Sequence, residues 1–346
     1  MNIIRKLLFS VLSICLLLSL CSCSNNNDYS FKYWNKDANS LNTIIDYVND
    51  VTDEKSVNYI PEEDRIVVFD MDGTLCGEES PVYIETLLLM HRVLDDPNYS
   101  APDDVIEYVK SIKALVDNNE DYDETEFSYY FGLAFKGMTV DEFEKYVLDF
   151  INNTICEGYD NLTYADAIFL PMIEIVDYLN NKGFKTFICS GTDRATCRAI
   201  LKDHINIKPE NIIGRDIVLL PNDYEGSSKD SYEYKYENTL VRSSEVRSNC
   251  WQGDKVNCIV TDIGKQPVMV FGNSLGDTSM AIYATDNNKY KSIAIMVKND
   301  DTLREHGDIE KYEKRSAIWD EYGWTTISIK DDWLTIYGFD ITMNNH

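Results

Sequence analysis

Two carboxylates two residues apart, Asp70 and Asp72, stand where a short apolar run gives way to a polar turn, Asp70-Met71-Asp72-Gly73-Thr74. That spacing lets both side chains reach one crevice, while Gly73 frees the chain to turn away. Carboxylates this close repel each other unless a cation or a shared proton relieves them. Mg2+ suits such a pair, because it takes oxygen ligands and shares them with the oxygens of a bound phosphate. By itself the pentapeptide is equally compatible with a calcium loop or a plain turn. Two further polar turns, Ser190-Gly191-Thr192 and Gly272-Asn273-Ser274-Leu275-Gly276-Asp277, also follow short apolar runs.

Those runs are the elements that must hold the turns. Arg65–Phe69, Lys185–Cys189 and Pro267–Phe271 are short, apolar and rich in β-branched residues, the signature of buried strands. Between them Phe169, Met172, Ile173, Val176 and Leu179 recur at helical spacing up to Gly183, and a second helix is predicted from Asp193 to His204. Strand and helix alternating in this way predict an α/β fold, a Rossmann-like parallel sheet with helices on both faces. Ligands then collect at the carboxyl ends of the strands. Residues 81–165 interrupt the alternation with helical patterns rich in tyrosine and acids, broken at Asp96-Pro97-Asn98 and Ala101-Pro102, and read as an inserted helical unit. The stretch from Pro221 to Asn249, with Tyr232, Tyr234 and Tyr236 alternating, reads as a loop with a β-hairpin, and Thr325–Lys330 as a last strand. Leu41, Ile44, Ile45 and Val48 predict a short amphipathic helix ahead of the core.

The Asp-x-Asp turn, a Ser after a second strand, a Lys and an acidic turn after a further strand arrive here in the order that resembles the haloacid dehalogenase (HAD) superfamily of phosphatases, over roughly residues 62–280. The resemblance implies an HAD core at 62–80 and 166–346 and a helical cap at 81–165 that covers the site. It implies Asp70 as a nucleophile that forms an aspartyl phosphate, and Asp72 as the acid that protonates the leaving oxygen and then activates water. Ser190, with the backbone of Gly191 and Thr192, would hold phosphoryl oxygens, with Thr74 beside the nucleophile; Lys255 would offset the charge of the transition state. Mg2+ would be held by Asp70, Asp72, Asn273 and Asp277. The last motif departs from the commonest pattern, since Asn273 stands where an acid is usual; which of Asn273 and Asp277 is the main ligand is left open. Glu79 falls where phosphoserine phosphatases of this superfamily receive the substrate's amino group, with its neighbour Glu78 as the alternative contact. Arg194 could bind a substrate carboxylate. Phe127, Tyr129, Tyr130, Phe131 and Phe135 could line a cage for a choline-like cation, or simply form the core of the cap.

The N-terminus adds a location. Arg5 and Lys6 precede an apolar run from Leu7 to Leu20, too short to span a bilayer, and Leu20-Cys21-Ser22-Cys23 resembles a bacterial lipobox. Residues 1–22 then read as a lipoprotein signal peptide, Cys23 as the site of lipid attachment, and 23–61 as tether and N-terminal helix. The expected location is exported and lipid-anchored, with membrane contact through the lipid only. Removal of residues 1–22 takes two of the 32 basic residues and none of the 59 acids, deepening the formal charge from −27 to −29. Such a surface repels nucleic acid and anionic lipid. Six cysteines beyond the leader and the anchor Cys23 form no C-x-x-C pair and four scattered histidines form no zinc pattern, so buried or solvent-facing thiols and imidazoles are expected.

The activity these readings predict is Mg2+-dependent hydrolysis of a small phosphate monoester, with phosphoserine or a related amino-alcohol phosphate as the leading substrate and phosphocholine as an alternative. The competing class is a lipoprotein that binds phosphorylated ligands without turning them over, favoured by Asn273 and opposed by Asp70, Asp72, Ser190 and Lys255.

Overall fold

The computed structural model describes residues 29–78, 82–118, 120, 122–123 and 125–344. The leader, Cys23 and Glu79 lie outside the described residues. Ile66, Val67, Val68 and Phe69 are all buried and form β1 (Ile66–Phe69). It is the central member of a seven-stranded sheet completed by β2 (Lys185–Asp193), β3 (Ile212–Pro221), β4 (Leu240–Ser248), β5 (Met269–Gly272), β6 (Ile293–Lys298) and β7 (Thr325–Ser328). The order is β4-β3-β2-β1-β5-β6-β7, parallel throughout except for the antiparallel pairing of β3 with β4. From β1 the chain builds outward through β2 and β3, then returns to the other side of β1 for β5, β6 and β7. The reversal opens a crevice at the carboxyl end of β1. Phe69 pairs in register with Ile188 of β2 and with Phe271 of β5, so three polar turns leave the sheet side by side. The rings of Phe69 and Phe271 stack with centroids 4.3 Å apart, an arrangement that adds about 0.5–1.5 kcal/mol to their burial and pins the two strand ends together.

Helix α1 (Asn39–Thr52) buries Leu41, Ile44, Val48 and Val51, and its Tyr47 hydroxyl donates to the carbonyls of Val268 and Lys291, which ties the helix to the start of β5 and β6. The insertion carries α2 (Ile84–Met90), continued by a π-helical turn at His91–Asp95, then α3 (Asp103–Asp117), α4 (Phe127–Ala134) and α5 (Val140–Asn153). Thr139 and Glu142 form a capping box that starts α5. The two Pro-containing breaks fall between α2 and α3. Beyond α5 the chain returns to the core beside its point of departure, where Gly77 N–H donates to Ala167 and Phe169 N–H to Leu75. Contacts join Phe31–His346 into one compact unit, so the insertion is not separate from the core.

Helices α6 (Leu170–Asn181), α7 (Arg194–Leu201), α8 (Asp254–Cys258), α9 (Thr278–Thr285) and α10 (Ile309–Glu321) follow the strands. Asp193 caps α7, accepting from the N–H groups of Ala195 and Thr196. Two expectations need correction. The paired strands of the hairpin are β3 and β4, and the alternating tyrosines lie in the connection between them. Tyr232, Tyr234 and Tyr236 are exposed there, so the alternation marks no buried strand face. Strand β2 runs on through Ser190-Gly191-Thr192 to Asp193, with a register shift against β3 between Cys189 and Asp193; the polar residues remain in the sheet because β3 continues beside them. The six cysteines among the described residues are buried and free, with Cys189 and Cys250 sulfurs 3.4 Å apart. Among the described residues no helix is long and apolar enough to cross a membrane.

Candidate active site

Asp70 leaves β1 with its N–H bonded to the carbonyl of Phe271, which places its side chain between the ends of β1 and β5. Lys255, at the start of α8, reaches the same point: its ammonium lies 2.6 Å from Asp70 Oδ1 and 2.6 Å from Asp277 Oδ1. All three side chains are buried. The second oxygen of Asp277 accepts from the N–H groups of Asn273 and Ser274 and from the Ser274 hydroxyl, each at 3.0 Å. Gly272 permits this fold-back, since a Cβ there would lie 2.6 Å from Asp277 Cβ. Burial, and then the charge on Asp277, push the Asp70 carboxyl well above the usual range against the pull of Lys255. Although burial acts against both charges, the pair of Asp277 and Lys255 holds the Asp277 carboxyl low and the Lys255 ammonium high.

Asp72 turns toward β2. Its Oδ2 accepts from Thr192 Oγ1 at 2.8 Å and from Ser190 Oγ at 3.3 Å, and Ser190 Oγ in turn accepts from the Thr192 N–H at 3.1 Å. Burial raises the Asp72 pKa, opposed by the Thr192 hydrogen bond and the Lys255 charge. Thr74 is fully buried beneath the turn, with a hydroxyl that has no hydrogen-bond partner; Gly191 lines the cavity.

Asn273 follows β5 and sits against Gly73. Its Nδ2 donates to Glu78 Oε2 at 2.9 Å and toward the Tyr312 hydroxyl at 3.3 Å, while its Oδ1 is buried with no partner. Gly73 has φ +70°, and a Cβ there would collide with the Asn273 amide. Among the described residues no group of three or more His, Cys, Asp and Glu side chains is arranged as a metal site. The donor set here is of another kind, one carboxylate and one uncommitted amide oxygen, and both are the hard oxygen ligands that Mg2+ takes.

The cavity above these turns encloses about 330 Å³. Its far wall comes from the insertion and β3, through Tyr83, Glu85, Thr86, Tyr122, Phe127 and Arg215. Glu85 Oε1 accepts from the Asp193 N–H at 3.0 Å and from Thr196 Oγ1 at 3.3 Å, and its Oε2 from Arg215 at 2.5 Å. Asp193 also binds Arg242 of β4 through both guanidinium NH2 groups, at 3.2 and 2.8 Å. These four charged residues are each at most 4% exposed. The latch holds the first cap helix to the end of β2, directly behind Ser190 and Thr192. Burial pushes the Glu85 carboxyl up to about 7, against Arg215; Asp193 stays low despite burial, held there by Arg242.

Asp70, Asp72, Ser190, Gly191, Thr192, Lys255 and Asn273 all line this cavity, and Asp277 stands behind Lys255. Arg194 does not join them: it is committed to Asp216 at 2.7 Å and to Asp262 at 2.7 Å, because the start of α7 turns it away from the cavity. The cavity does contain two other guanidiniums, the buried Arg215 and the partly buried Arg315, which donates to the Asn273 carbonyl at 3.2 Å. The aromatic group is split in the same way. Phe131 and Phe135 are fully buried against Phe143, Tyr129 is half exposed, and only Phe127 lines the cavity. Glu85, Arg215 and Tyr312 were missed from sequence, although a lone arginine inside the apolar run Ile212–Leu220 was a readable signal.

A carboxylate pair, a buried lysine and hydroxyl donors gathered at adjacent ends of a parallel sheet are the equipment of a hydrolase with a carboxylate nucleophile. The chain belongs to the haloacid dehalogenase-like hydrolase family, whose sequence model matches residues 65–240 and so ends before Lys255 and Asn273. No curated protein matches it. Solved structures similar to it include a protein of unknown function from Bordetella pertussis Tohama I, at 11% identity over 76% of this chain and 97% of that one with a TM-score of 0.49. A phosphoserine phosphohydrolase-like protein from Francisella tularensis subsp. tularensis SCHU S4 is similar at 17% identity over 72% of this chain and 92% of that one, with a TM-score of 0.40.

Proposed function

We propose that the chain is a Mg2+-dependent phosphomonoesterase in which Asp70 attacks phosphorus and carries an aspartyl phosphate. The observation that carries this reading is the ammonium of Lys255 held between Asp70 and Asp277, 2.6 Å from each. Lys255 keeps a carboxylate oxygen of Asp70 in place at the cavity floor and offers positive charge where the phosphoryl oxygens gather. Asp72, whose pKa is raised by burial and whose Oδ2 is steadied by Thr192 and Ser190, is placed to pass a proton to the leaving oxygen. Once that proton is spent, the same carboxylate takes one from the water that opens the aspartyl phosphate. Ser190, with the N–H groups around Gly191, is placed to donate to the phosphoryl oxygens.

Asp70, the backbone carbonyl of Asp72 and Asn273 Oδ1 would hold Mg2+. When bound, the ion supplies charge neutralisation for the phosphoryl group and lowers the repulsion among the buried carboxylates. Buried Asp70, Asp72 and Asp277 face one ammonium, so the donor set has negative charge to spare, and Asn273 keeps an acceptor with no other use. That free oxygen weighs against a binding protein without turnover.

The leaving group we infer is small and zwitterionic, phosphoserine or a related amino-alcohol phosphate. A cavity of about 330 Å³ suits that size. Arg215, whose Nε is buried without a partner, offers itself to a carboxylate, and Glu85 beside it to an ammonium. Residues 1–23 point to export and a lipid anchor at Cys23, which would put this hydrolysis outside the cytoplasm.

The test is hydrolysis of a panel of phosphomonoesters by the full chain in detergent, with and without Mg2+. Phosphate release that needs Mg2+ and disappears in Asp70→Asn is expected. Undiminished release by Asp70→Asn would remove the nucleophile and with it this reading.

A further inference from the structure

We infer that Glu78 and Tyr312 are positioning residues that fix the amide of Asn273 with its oxygen presented to the Mg2+ site, so that a neutral side chain serves where the family commonly has an acid. The inference rests on the metal reading above. An asparagine amide has two ends of nearly the same shape, of which only the oxygen can ligate a cation; the NH2 end repels it. An aspartate at this position would need no orienting, because either oxygen serves. Asn273 does need it.

Glu78 provides it by charge. As a carboxylate it can only accept, so the group facing its Oε2 at 2.9 Å has to be the NH2 of Asn273. The Tyr312 hydroxyl donates to the same Glu78 oxygen at 3.2 Å, which turns its lone pairs toward Asn273 Nδ2 at 3.3 Å. Both contacts demand the same orientation of the amide. Glu78 is itself held from its other oxygen by the Tyr83 hydroxyl at 3.0 Å. The result is an Oδ1 that is buried and without a partner, the one atom of the side chain left for a ligand. Gly73 makes the arrangement possible, since a Cβ there would overlap the Asn273 amide and stand 3.0 Å from Glu78 Oε2. The formal charge missing at position 273 is kept one contact away, on Glu78.

The experiment measures Mg2+ binding to the full chain in detergent by calorimetry, with no substrate present. Glu78→Gln gives the amide a neighbour that donates as well as accepts, and the orientation is no longer enforced. Mg2+ affinity is expected to fall by about 10- to 100-fold. Tyr312→Phe removes one of two cues and should lower it by roughly a few-fold, with the same melting temperature. The decisive variant combines Glu78→Gln with Asn273→Asp, which inverts donor and acceptor. The introduced amide then donates to the introduced carboxylate, and affinity is expected to return to within a few-fold of the wild type or exceed it. A merely structural Glu78 would show no such rescue. Wild-type affinity in Glu78→Gln, or a double variant as weak as the single one, would overturn the inference and leave the phosphatase reading standing. Should Glu78→Gln not fold, unchanged affinity in Tyr312→Phe together with no recovery in the double variant overturns it. A wild-type chain that binds no Mg2+ overturns the metal reading and this inference with it.

Discussion

Asp277 Oδ1 lies 2.6 Å from Lys255 Nζ, and the other Asp277 oxygen accepts three hydrogen bonds from the loop that carries Asn273. Both oxygens are therefore engaged within the protein. Of the two residues after β5, Asn273 keeps the free donor atom and Asp277 holds the lysine.

Asp277→Asn should separate these duties. Lys255 would keep its ion pair with Asp70 and lose the restraint that centres it, so phosphate release is expected to fall by about 10²-fold. Mg2+ affinity should stay within a few-fold of the wild type. Steady-state kinetics beside calorimetry reads both; a parallel loss of Mg2+ binding would make Asp277 a ligand.

Gly73→Ala tests the close approach on the other side of the amide. The φ of +70° disfavours any side chain, and the new methyl would overlap Asn273. A loss of roughly 1–3 kcal/mol in urea unfolding is expected, with weakened Mg2+ binding. A variant as stable and as tight as the wild type would show that the turn yields without consequence.

Arg242→Met strips Asp193 of its partner behind Ser190 and Thr192. Both side chains of the pair are at most 3% exposed, so the stranded carboxylate should cost about 3–5 kcal/mol. Adding Asp193→Asn, which keeps an oxygen for capping α7, should recover part of that loss. Thermal and urea unfolding of the two variants check it; no recovery would place the damage in lost packing against Phe143, over whose ring the Arg242 guanidinium sits at 3.8 Å.

Glu85 should leave a trace in the pH dependence of stability. Its carboxyl titrates at about 7 in the folded protein, above the roughly 4.3 of an unfolded chain. Between those values the native state holds a proton that the unfolded state releases, so this group's contribution is greatest at low pH and is lost as pH rises toward 7. Glu85→Gln removes the titration, and wild-type stability should decline more steeply than the variant's from pH 5 to 7, by roughly 1–3 kcal/mol. Urea unfolding at pH 5, 6 and 7 measures the difference, and equal slopes would count against it.

The sheet was legible because its evidence is local. Buried parallel strands must be short apolar runs, and a run that ends in Asp70-Met71-Asp72-Gly73-Thr74 announces both a strand end and a charge that needs a partner. The same reasoning reached the turns that carry Ser190 and Asn273, each of which follows such a run, while Lys255 came through the family resemblance; the structure brings all three to one cavity. What pattern alone could not give was pairing across the chain. Arg194 follows the end of β2 and Arg215 lies within β3; which of them meets the cavity depends on how α7 and β3 pack beside it, a property of the assembled sheet. Glu78 touching Asn273, 195 residues away, and Glu85 touching Arg215, 130 away, are likewise set by tertiary contact. The amide of Asn273 shows the division most simply. Its presence was written in the sequence as a missing charge, but which end of it faces the site is decided only by the carboxylate and the phenol that folding places beside it.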